Sequence, residues 1–313
     1  MRAFVCKFDE GYGKTSTLVL GGNGQLGTAY SLKCKNFGSL CVAADFDNLN
    51  ISDEEKVKQG FCFAPLFDHV FNATAFANVD MCDVNECQAL KINTLGPKYL
   101  AENVARQGGT LLHVSTDYVF PGTDPTPRKE NDPVCPINAY GRTKWAGEVF
   151  VRALCPKHFI VRTAWLYGLH GKNFVKTILK KARETGRISV VADQYGSPTF
   201  ANDLAEALLQ LAQTARYGTY HCTNAGVCSW FELASAAVDI AGIPCEKEAI
   251  TTEEYRRRFP QSARRPMYSA LDNTKIAGVL GKPLRPWREA LEEFIDTLQK
   301  RRGSKCRKLS GWS

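Results

Sequence analysis

Long apolar runs are missing from this sequence of 313 residues. No stretch reaches the roughly 18 consecutive apolar residues that a membrane-spanning helix needs, so we expect no association with a membrane. The first ten residues also lack the apolar segment of a secretory signal, which favours a cytoplasmic protein. With 44% hydrophobic residues, the chain can bury the core of one large α/β domain or of two interlocked lobes.

Clustered metal ligands are missing as well. The 12 cysteines are scattered without a C-x-x-C pair, and the five histidines have no metal-binding spacing. Zinc sites need closer ligand pairs, so the residues themselves predict no metal site. We interpret the cysteines as free thiols of a reducing compartment.

Basic charge is in excess, but most of it lies at one end of the chain. The net charge is +8, and six basic residues with no acidic one follow Gln299. The remainder is close to neutral, which argues against a nucleic-acid partner. We interpret residues 300–313 as a solvated, disordered basic tail, with a docking or targeting role as the alternative.

Strands and helices alternate along the first half of the chain. Residues 1–16 read as an extension, and the apolar, β-branched run from Thr17 to Leu20 predicts the first buried strand. Further strands are predicted at 40–44, 70–73, 110–114 and 159–162, with helices over 86–106 and 140–154. This order predicts an α/β fold, a Rossmann-type doubly wound parallel sheet, over residues 17–165. The mixed pattern of 166–299 predicts a smaller C-terminal substrate-binding lobe, with about 200–224 returning to the Rossmann core.

Glycines follow the first strand with G-x-x-G-x-x-G spacing, at Gly21, Gly24 and Gly27. Glycine permits a tight turn and a close approach of the backbone to a pyrophosphate, and the next helix directs its N-terminal N–H groups at the phosphates. The motif therefore predicts a nicotinamide-dinucleotide site. Asp45, after the second strand, is placed to bind a ribose hydroxyl and favours NADH; a plain turn residue is the alternative. No arginine follows to hold a 2′-phosphate, although NADPH use stays open.

Tyr140 and Lys144 lie four residues apart, so a helix presents both on one face. A neighbouring ammonium lowers the pKa of a phenol from its usual value of about 10, which makes the pair a proton donor for a developing alkoxide. The spacing alone is common. Its weight comes from the glycines upstream and from the hydroxyl of Thr116 at the end of a predicted strand. We predict these three residues as the catalytic group.

Together these residues resemble the extended short-chain dehydrogenase/reductases, and within them the dTDP-4-dehydrorhamnose reductase branch, from about Thr17 to Leu291. The strings that carry the resemblance are 72–80 (NATAFANVD), 115–122 (STDYVFPG), 140–148 (YGRTKWAGE), 162–168 (RTAWLYG), 173–174 (NF), 193–199 (DQYGSPT) and 265–266 (RP).

The resemblance implies hydride transfer from NADPH or NADH to C4 of a nucleotide-linked 4-keto-6-deoxy sugar. Tyr140 would protonate the sugar oxygen, Lys144 would hold the ribose, and Thr116 would hydrogen-bond the sugar. Asp117 and Trp165 would contact the sugar, although a tryptophan at such a position is often a core residue. The implied cofactor-binding residues are Gly21, Gly24, Gln25, Leu26, Gly27, Asp45, Asn50, Ile51, Ala75, Phe76, Ala77, Val114, Tyr140 and Lys144.

The chain departs from that family's pattern at two places: the family usually has Asp at position 50 and Tyr or His followed by Thr at positions 76–77. The resemblance also implies Mg²⁺, for which the sequence offers no ligand cluster, and it leaves a homodimer open. Arg264 and Arg265 either clamp a diphosphate or belong to a solvated basic patch.

Two other functions are alternatives. A nucleotide-sugar epimerase or dehydratase shares the fold, but dehydratases that it resembles carry Glu after the Asp of this motif, whereas Tyr118 follows Asp117 here. A non-catalytic subunit resembling the β subunit of methionine adenosyltransferase would keep the glycines and Y-x-x-x-K. It would lack counterparts of Trp165 and of the segment 193–196, both of which this chain has.

Overall fold

The computed structural model describes residues 13–36, 39–63 and 66–309. The strands are β1 (Gly13–Leu20), β2 (Ser39–Ala44), β3 (His69–Asn72), β4 (Thr110–Thr116), β5 (His158–Thr163), β6 (Leu166–Tyr167), β7 (Arg187–Val191), β8 (Tyr195–Gly196), β9 (Thr199–Phe200), β10 (Gly218–His221), β11 (Cys228–Ser229) and β12 (Glu246–Ile250). The α-helices are α1 (Gln25–Asn36), α2 (Glu54–Phe63), α3 (Val79–Val84), α4 (Glu86–Leu90), α5 (Gly96–Arg106), α6 (Ala139–Leu154), α7 (Phe174–Thr185), α8 (Ala201–Ala212), α9 (Trp230–Ile240), α10 (Thr252–Arg258), α11 (Thr274–Leu280) and α12 (Trp287–Leu309).

Six strands form the main sheet, in the order β10-β5-β4-β3-β1-β2. All five pairings between them are parallel. The connections run outward in opposite directions from β1 and β3, so the sheet is doubly wound and the switch point lies between these strands. The Rossmann-type fold predicted from the sequence is confirmed.

The sheet is covered on both faces because its strands direct alternate apolar side chains to opposite sides. Val19 packs with α1 and α8 on one face. Leu18 and Leu20 pack with α2, α5 and α6 on the other. Burial on both faces explains why every residue of β3 and of β5 is buried.

A second group of elements follows β5. Tyr167, Leu179, Phe200 and Phe294 share a buried cluster that joins α7, α9 and α12. Three two-stranded sheets lie outside the main one: β11 with β8, β12 with β7, and β6 with β9. Within the same stretch of chain, α8 and β10 pack back onto the main sheet.

Two boundaries differ from the sequence prediction. β1 begins at Gly13, so the expected start of the fold at residue 17 is four residues late; residues 1–12 of the expected extension lie outside the described residues. At the other end, α12 continues to Leu309, so the expected disordered tail from residue 300 is helical over its first ten residues. Both differences arise because backbone hydrogen bonds continue the strand or helix past the apolar residues that predicted it. In β1 these hydrogen bonds are formed with β2.

The helix predicted over 86–106 contains a π-helical turn at Lys91–Leu95 between α4 and α5. In the part of the chain that the structure describes, ten cysteines are free thiols, five of them buried. No described helix is long and apolar enough to cross a membrane.

Gly27 is required by the close approach of α1 to the preceding turn. A Cβ at this position would lie 2.0 Å from the carbonyl oxygen of Gly21. Because the obstructing atoms belong to the backbone, we expect Gly27→Ala to lower the free energy of unfolding by about 1–3 kcal/mol and to weaken dinucleotide binding. Urea denaturation and cofactor titration measure the two effects.

Gly278→Ala is the matched control. Gly278 lies in α11 with nothing within 4 Å of its Cβ position, so alanine should be neutral or should stabilise the helix by up to about 1 kcal/mol. Equal stability and equal cofactor affinity of Gly27→Ala and wild type would contradict the assignment of the close approach.

Candidate active site

A cavity of about 790 Å³ opens at the carboxyl ends of β1, β3, β4 and β5. Its other walls come from the second group of elements, chiefly α7, β7 and the start of α9. Ligands of doubly wound sheets bind at this edge, near the switch point. The predicted residues Tyr140, Lys144, Thr116, Asp117 and Trp165 all line this one cavity.

The glycine turn occupies one end of the cavity, where Gly24, Gln25, Leu26 and Gly27 line the wall. Gly21 has φ +78° and accepts a hydrogen bond from the N–H of Gly24 at 3.0 Å. α1 begins immediately afterwards, so its unpaired N–H groups face this end. The turn, the helix start and the cavity together fit the pyrophosphate of a dinucleotide.

Asp45 directly follows β2, as predicted, and makes a contact that the sequence did not indicate. Its Oδ2 accepts the backbone N–H of Asn23 at 2.9 Å, and Asp45 is not among the described residues that line the cavity. The carboxylate therefore stabilises the glycine turn directly. A ribose that approaches the turn would meet a carboxylate that is already held in place by this bond.

The remaining predicted cofactor residues separate into two sets. Ala75, Ala77 and Val114 line the cavity. Asn50 accepts hydrogen bonds from Ser52 within its own turn, and the side chain of Ile51 is buried in the core.

The backbone of Phe76 is hydrogen-bonded to Asn93, a residue that the sequence did not indicate. Oδ1 of Asn93 accepts the N–H of Phe76 at 2.8 Å, and Nδ2 of Asn93 donates to the carbonyl oxygen of Phe76 at 3.2 Å. The same Nδ2 donates to Oγ1 of Thr143 on α6 at 3.1 Å. Asn93 lies in the π-helical turn and is fully buried, so it connects the segment after β3 to the helix that carries Tyr140.

The cap residue of α6 and the glycine in its first turn place the start of this helix close to the cavity. Asn138 caps it by accepting the N–H of Gly141 at 2.8 Å, which favours helix initiation. A side chain at Gly141 would meet the carbonyl oxygen of Tyr118 at 2.1 Å. Glycine therefore lets the first turn of α6 pack against the end of β4, which brings Tyr140 near Thr116.

Lys144 is 1% exposed and donates from Nζ to the carbonyl oxygen of Val114 at 2.6 Å. Burial lowers the pKa of its ammonium to about 8, and the charge of Glu148 opposes this change. Burial also raises the pKa of the Tyr140 phenol, opposed by a hydrogen bond with Thr116. Our expectation that Lys144 lowers the pKa of Tyr140 is therefore corrected: desolvation dominates, and the phenol is held protonated, as a proton donor.

Thr116 and Asp117 form a buried pair beside Tyr140. Oγ1 of Thr116 donates to Oδ1 of Asp117 at 2.9 Å and accepts the N–H of Tyr118 at 3.2 Å. Burial raises the pKa of Asp117 to about 7, opposed by contacts with the hydroxyls of Ser269 and Thr116. No group of the described residues lies within hydrogen-bonding geometry of its Oδ2. An unpaired buried oxygen is costly, so this atom is suited to a hydroxyl group of a ligand.

Glu148, one turn of α6 beyond Lys144, is fully buried. Its Oε1 accepts Nε of Arg162 at 2.9 Å and Oγ of Ser115 at 2.6 Å, and its Oε2 accepts Nη2 of Arg162 at 2.7 Å. The bidentate pair connects α6 to β5, and Ser115 connects it to β4. The pairing of Arg162 with this buried carboxylate gives it a structural role.

Trp165 has the only positive φ among the described non-glycine residues, +47°. Such a conformation costs about 1–3 kcal/mol and persists only where surrounding contacts impose it. Its indole stacks on that of Trp230, with 3.6 Å between ring centroids and 8° between planes. Both rings line the cavity. Trp230, 65 positions later, was not indicated by the sequence.

The two arginines proposed as diphosphate ligands differ in their position relative to the cavity. Nη2 of Arg265 donates to Oδ1 of Asp80 at 2.9 Å and the residue lines the cavity, whereas Arg264 is exposed outside it. Lys172 and Lys181, which the sequence did not indicate, lie at the rim. Within the described residues no group of three or more His, Cys, Asp or Glu could hold a metal ion, so the implied Mg²⁺ has no candidate site there.

Comparison with known proteins gives a consistent result. A family model described as the RmlD substrate binding domain matches residues 15–300. The chain is 40% identical to the spore coat polysaccharide biosynthesis protein SpsK of Bacillus subtilis, over 90% of this chain and 97% of that protein. A solved dTDP-4-dehydrorhamnose reductase from Clostridium acetobutylicum is 40% identical, with TM-score 0.86 over 91% of this chain and 99% of that one. A solved dTDP-4-dehydrorhamnose reductase from Bacillus anthracis, in complex with NADP, is 36% identical, with TM-score 0.86 over 91% and 100%.

Removing one member of the buried ion pair should be far more harmful than removing an exposed one. Arg162→Ala leaves the charge of Glu148 buried, so we expect the free energy of unfolding to fall by about 3–5 kcal/mol. The control is Arg142→Ala, whose pair with Glu86 is about half exposed; here the loss should stay below about 1 kcal/mol. Urea denaturation distinguishes them, and equal losses would show that the buried pair has no special structural role.

The pH dependence of reduction should reflect Lys144. Because burial lowers the pKa of its ammonium to about 8, the positive charge is present below that pH and lost above it, while Tyr140 stays protonated. We expect kcat/KM for reduction to fall as the pH rises through about 8. Lys180→Met, at an exposed lysine of α7, should keep this profile. A flat profile up to pH 9.5 would mean that the charge of Lys144 is not needed.

Proposed function

The chain belongs to the RmlD substrate binding domain family, and on that premise we propose that it is an NAD(P)H-dependent reductase. Its substrate would be the C4 ketone of a nucleotide-linked 4-keto-6-deoxy sugar, and its reaction the conversion of dTDP-4-dehydro-L-rhamnose to dTDP-L-rhamnose. One observation carries this proposal: Tyr140, Lys144 and Thr116 meet the glycine turn in a single cavity that is long enough to continue to α7 and α9.

Each catalytic side chain has a separate task in this reaction. When bound, the reduced nicotinamide supplies the hydride. Tyr140, kept protonated by burial, donates its proton to the carbonyl oxygen as that oxygen gains charge. Lys144 supplies a positive charge next to this proton transfer and is oriented by the carbonyl oxygen of Val114. Thr116 holds Asp117, whose free Oδ2 would hydrogen-bond the sugar.

The nucleotide part of the substrate would extend away from the sheet. Lys172 and Lys181 lie at the rim of the cavity near α7, and Arg265 lies at its wall. We propose that these three cations face the diphosphate, since guanidinium and ammonium groups both bind phosphate oxygens. Trp165 would form the wall beside the sugar.

The choice between the two dinucleotides depends on the end of β2. Asp45 and Asp47 lie there, and no lysine or arginine occurs between positions 45 and 50. A 2′-phosphate would therefore meet negative charge without a neighbouring cation. We propose that NADH serves at least as well as NADPH, although the Bacillus anthracis relative was solved with NADP.

The dehydratase alternative lacks the glutamate base that elimination would need. Among the described residues that line it, Asp117 is the only carboxylate, and Tyr118 stands where elimination would need a glutamate. The non-catalytic alternative is disfavoured because the complete Tyr140, Lys144 and Thr116 group lines a cavity that also holds Trp165. A homodimer is left open by the family resemblance, and light scattering on the purified protein would decide it.

A direct assay tests the reaction. Purified protein is supplied with dTDP-4-dehydro-L-rhamnose and either NADH or NADPH, and the loss of reduced-nicotinamide absorbance is followed together with the sugar product. Tyr140→Phe should lower kcat by about 10²-fold or more, because it removes the proton donor, while cofactor affinity stays within twofold. Comparing kcat/KM for the two dinucleotides in this assay gives the preference.

Tyr217→Phe is the matched control, since Tyr217 is 39% exposed and does not line the cavity; it should behave as wild type. Absence of turnover by folded wild-type protein with both dinucleotides would contradict the reductase proposal. Survival of activity in Tyr140→Phe would mean that another group donates the proton.

A further inference from the structure

Trp165 is held on two sides by residues far from it in sequence. A Cβ at Gly196 would come within 2.5 Å of the Trp165 indole, so the backbone of β8 lies directly against the ring. The indole of Trp230 stacks on it at 3.6 Å. Since β8 pairs antiparallel with β11, and α9 begins with Trp230 right after β11, one small sheet delivers both contacts.

Trp230 is itself firmly placed. Ser229 caps α9 by accepting the N–H of Glu232 at 3.1 Å, while Glu232 accepts the N–H of Ser229 at 2.6 Å, a reciprocal pair that fixes the helix start. The N–H of Trp230 donates to the carbonyl oxygen of Gln194 at 3.3 Å. Phe174, the first residue of α7, packs against the Trp230 ring with 4.5 Å between centroids. The ring therefore offers a rigid surface.

The backbone conformation of Trp165 requires a side-chain contact of this kind to persist. A bulky side chain disfavours the left-handed region that Trp165 occupies at φ +47°. The hydrogen bond from the N–H of Thr199 to the carbonyl oxygen of Trp165 is long, at 3.3 Å, and does not by itself determine where the indole points. The ring contacts are what oppose relaxation of the backbone.

We propose that Trp230 is a positioning residue: its indole holds Trp165 in the left-handed conformation, so that the Trp165 ring forms a fixed wall of the cavity that Tyr140 and Lys144 also line. This inference rests on the proposed reductase function for its effect on catalysis, but not for its effect on the conformation of Trp165. Trp230 acts through Trp165, and its removal should weaken substrate positioning while the dinucleotide still binds.

A double-mutant cycle on activity tests the action through Trp165. In wild-type background, Trp230→Ala should lower kcat/KM for the keto sugar about tenfold, mainly through KM, and the dissociation constant of the dinucleotide should change less than twofold. In Trp165→Ala background the same substitution should change kcat/KM less than twofold. Trp230→Phe, which retains a ring, should recover most of the loss. A tenfold loss in both backgrounds, or none in either, overturns the proposal.

A second cycle needs no turnover and uses the melting temperature. Glycine tolerates the left-handed region, so it removes both the strain and the stack at position 165. Trp165→Gly should lower Tm by about 2–4 °C in wild type, where Trp230 stabilises the strained conformation. In Trp230→Ala background it should leave Tm unchanged or raise it. Equal decreases in both backgrounds overturn the proposal, even if no reductase activity is found.

Trp287→Phe is the control for loss of an indole. Trp287 begins α12 and does not line the cavity, so the variant should keep the activity and the couplet that two stacked indoles produce in circular dichroism. Trp230→Ala should lose that couplet. If wild-type protein shows no turnover while the couplet and the Tm cycle behave as stated, the proposed function fails and the positioning role stands.

Discussion

The site depends most on the buried hydrogen bonds that the carboxylate of Glu148 accepts. Glu148 lies on α6 with no exposure, and it receives hydrogen bonds from Ser115 on β4 and from Arg162 on β5. A charge buried in this way is tolerable only because its partners compensate it fully. The same contact sets the distance between α6 and the sheet, and with it the position of Lys144 one turn earlier. Arg162 is further enclosed by the rings of Phe120 and Trp145, at 5.1 and 5.7 Å.

The cavity is assembled from parts of the chain that are far apart, and polar contacts connect them across it. Oε1 of Gln25 in the glycine turn accepts Nδ2 of Asn173, which caps α7, at 2.9 Å. Arg265 pairs with Asp80 at the start of α3, and Nδ2 of Asn138 donates to the carbonyl oxygen of Arg264 at 2.8 Å. These contacts hold the two ends of the cavity in one frame, as the proposed hydride transfer between two ligands would require.

Burial determines the protonation states in this frame. It lowers the pKa of Lys144 to about 8, raises that of Asp117 to about 7 and raises that of Tyr140. All three changes disfavour the charged form, as expected when a group leaves water. The site thus keeps the phenol neutral, and the ammonium beside it loses its charge only as the pH rises through about 8. A spacing of four residues on a helix cannot indicate this, since the effect comes from what covers the side chains.

The sequence by itself determined the doubly wound sheet, the glycine turn after β1 and the group of Tyr140, Lys144 and Thr116, because these follow from local patterns: alternating elements, glycine spacing and one helical turn. Only the tertiary structure decided the rest. Trp230, Lys172 and Lys181 line the cavity, and Asn93 connects Phe76 to Thr143 on α6. These contacts join residues far apart in sequence, so no local pattern predicts them. The carboxylate of Asp45 holds the glycine turn because the N–H of Asn23 binds it, and Ile51 fills the core because its apolar side chain is more stable away from water. Whether an ionisable group is charged, and whether Trp165 can remain in a strained conformation, depends on the packing around it, which exists only once the chain has folded.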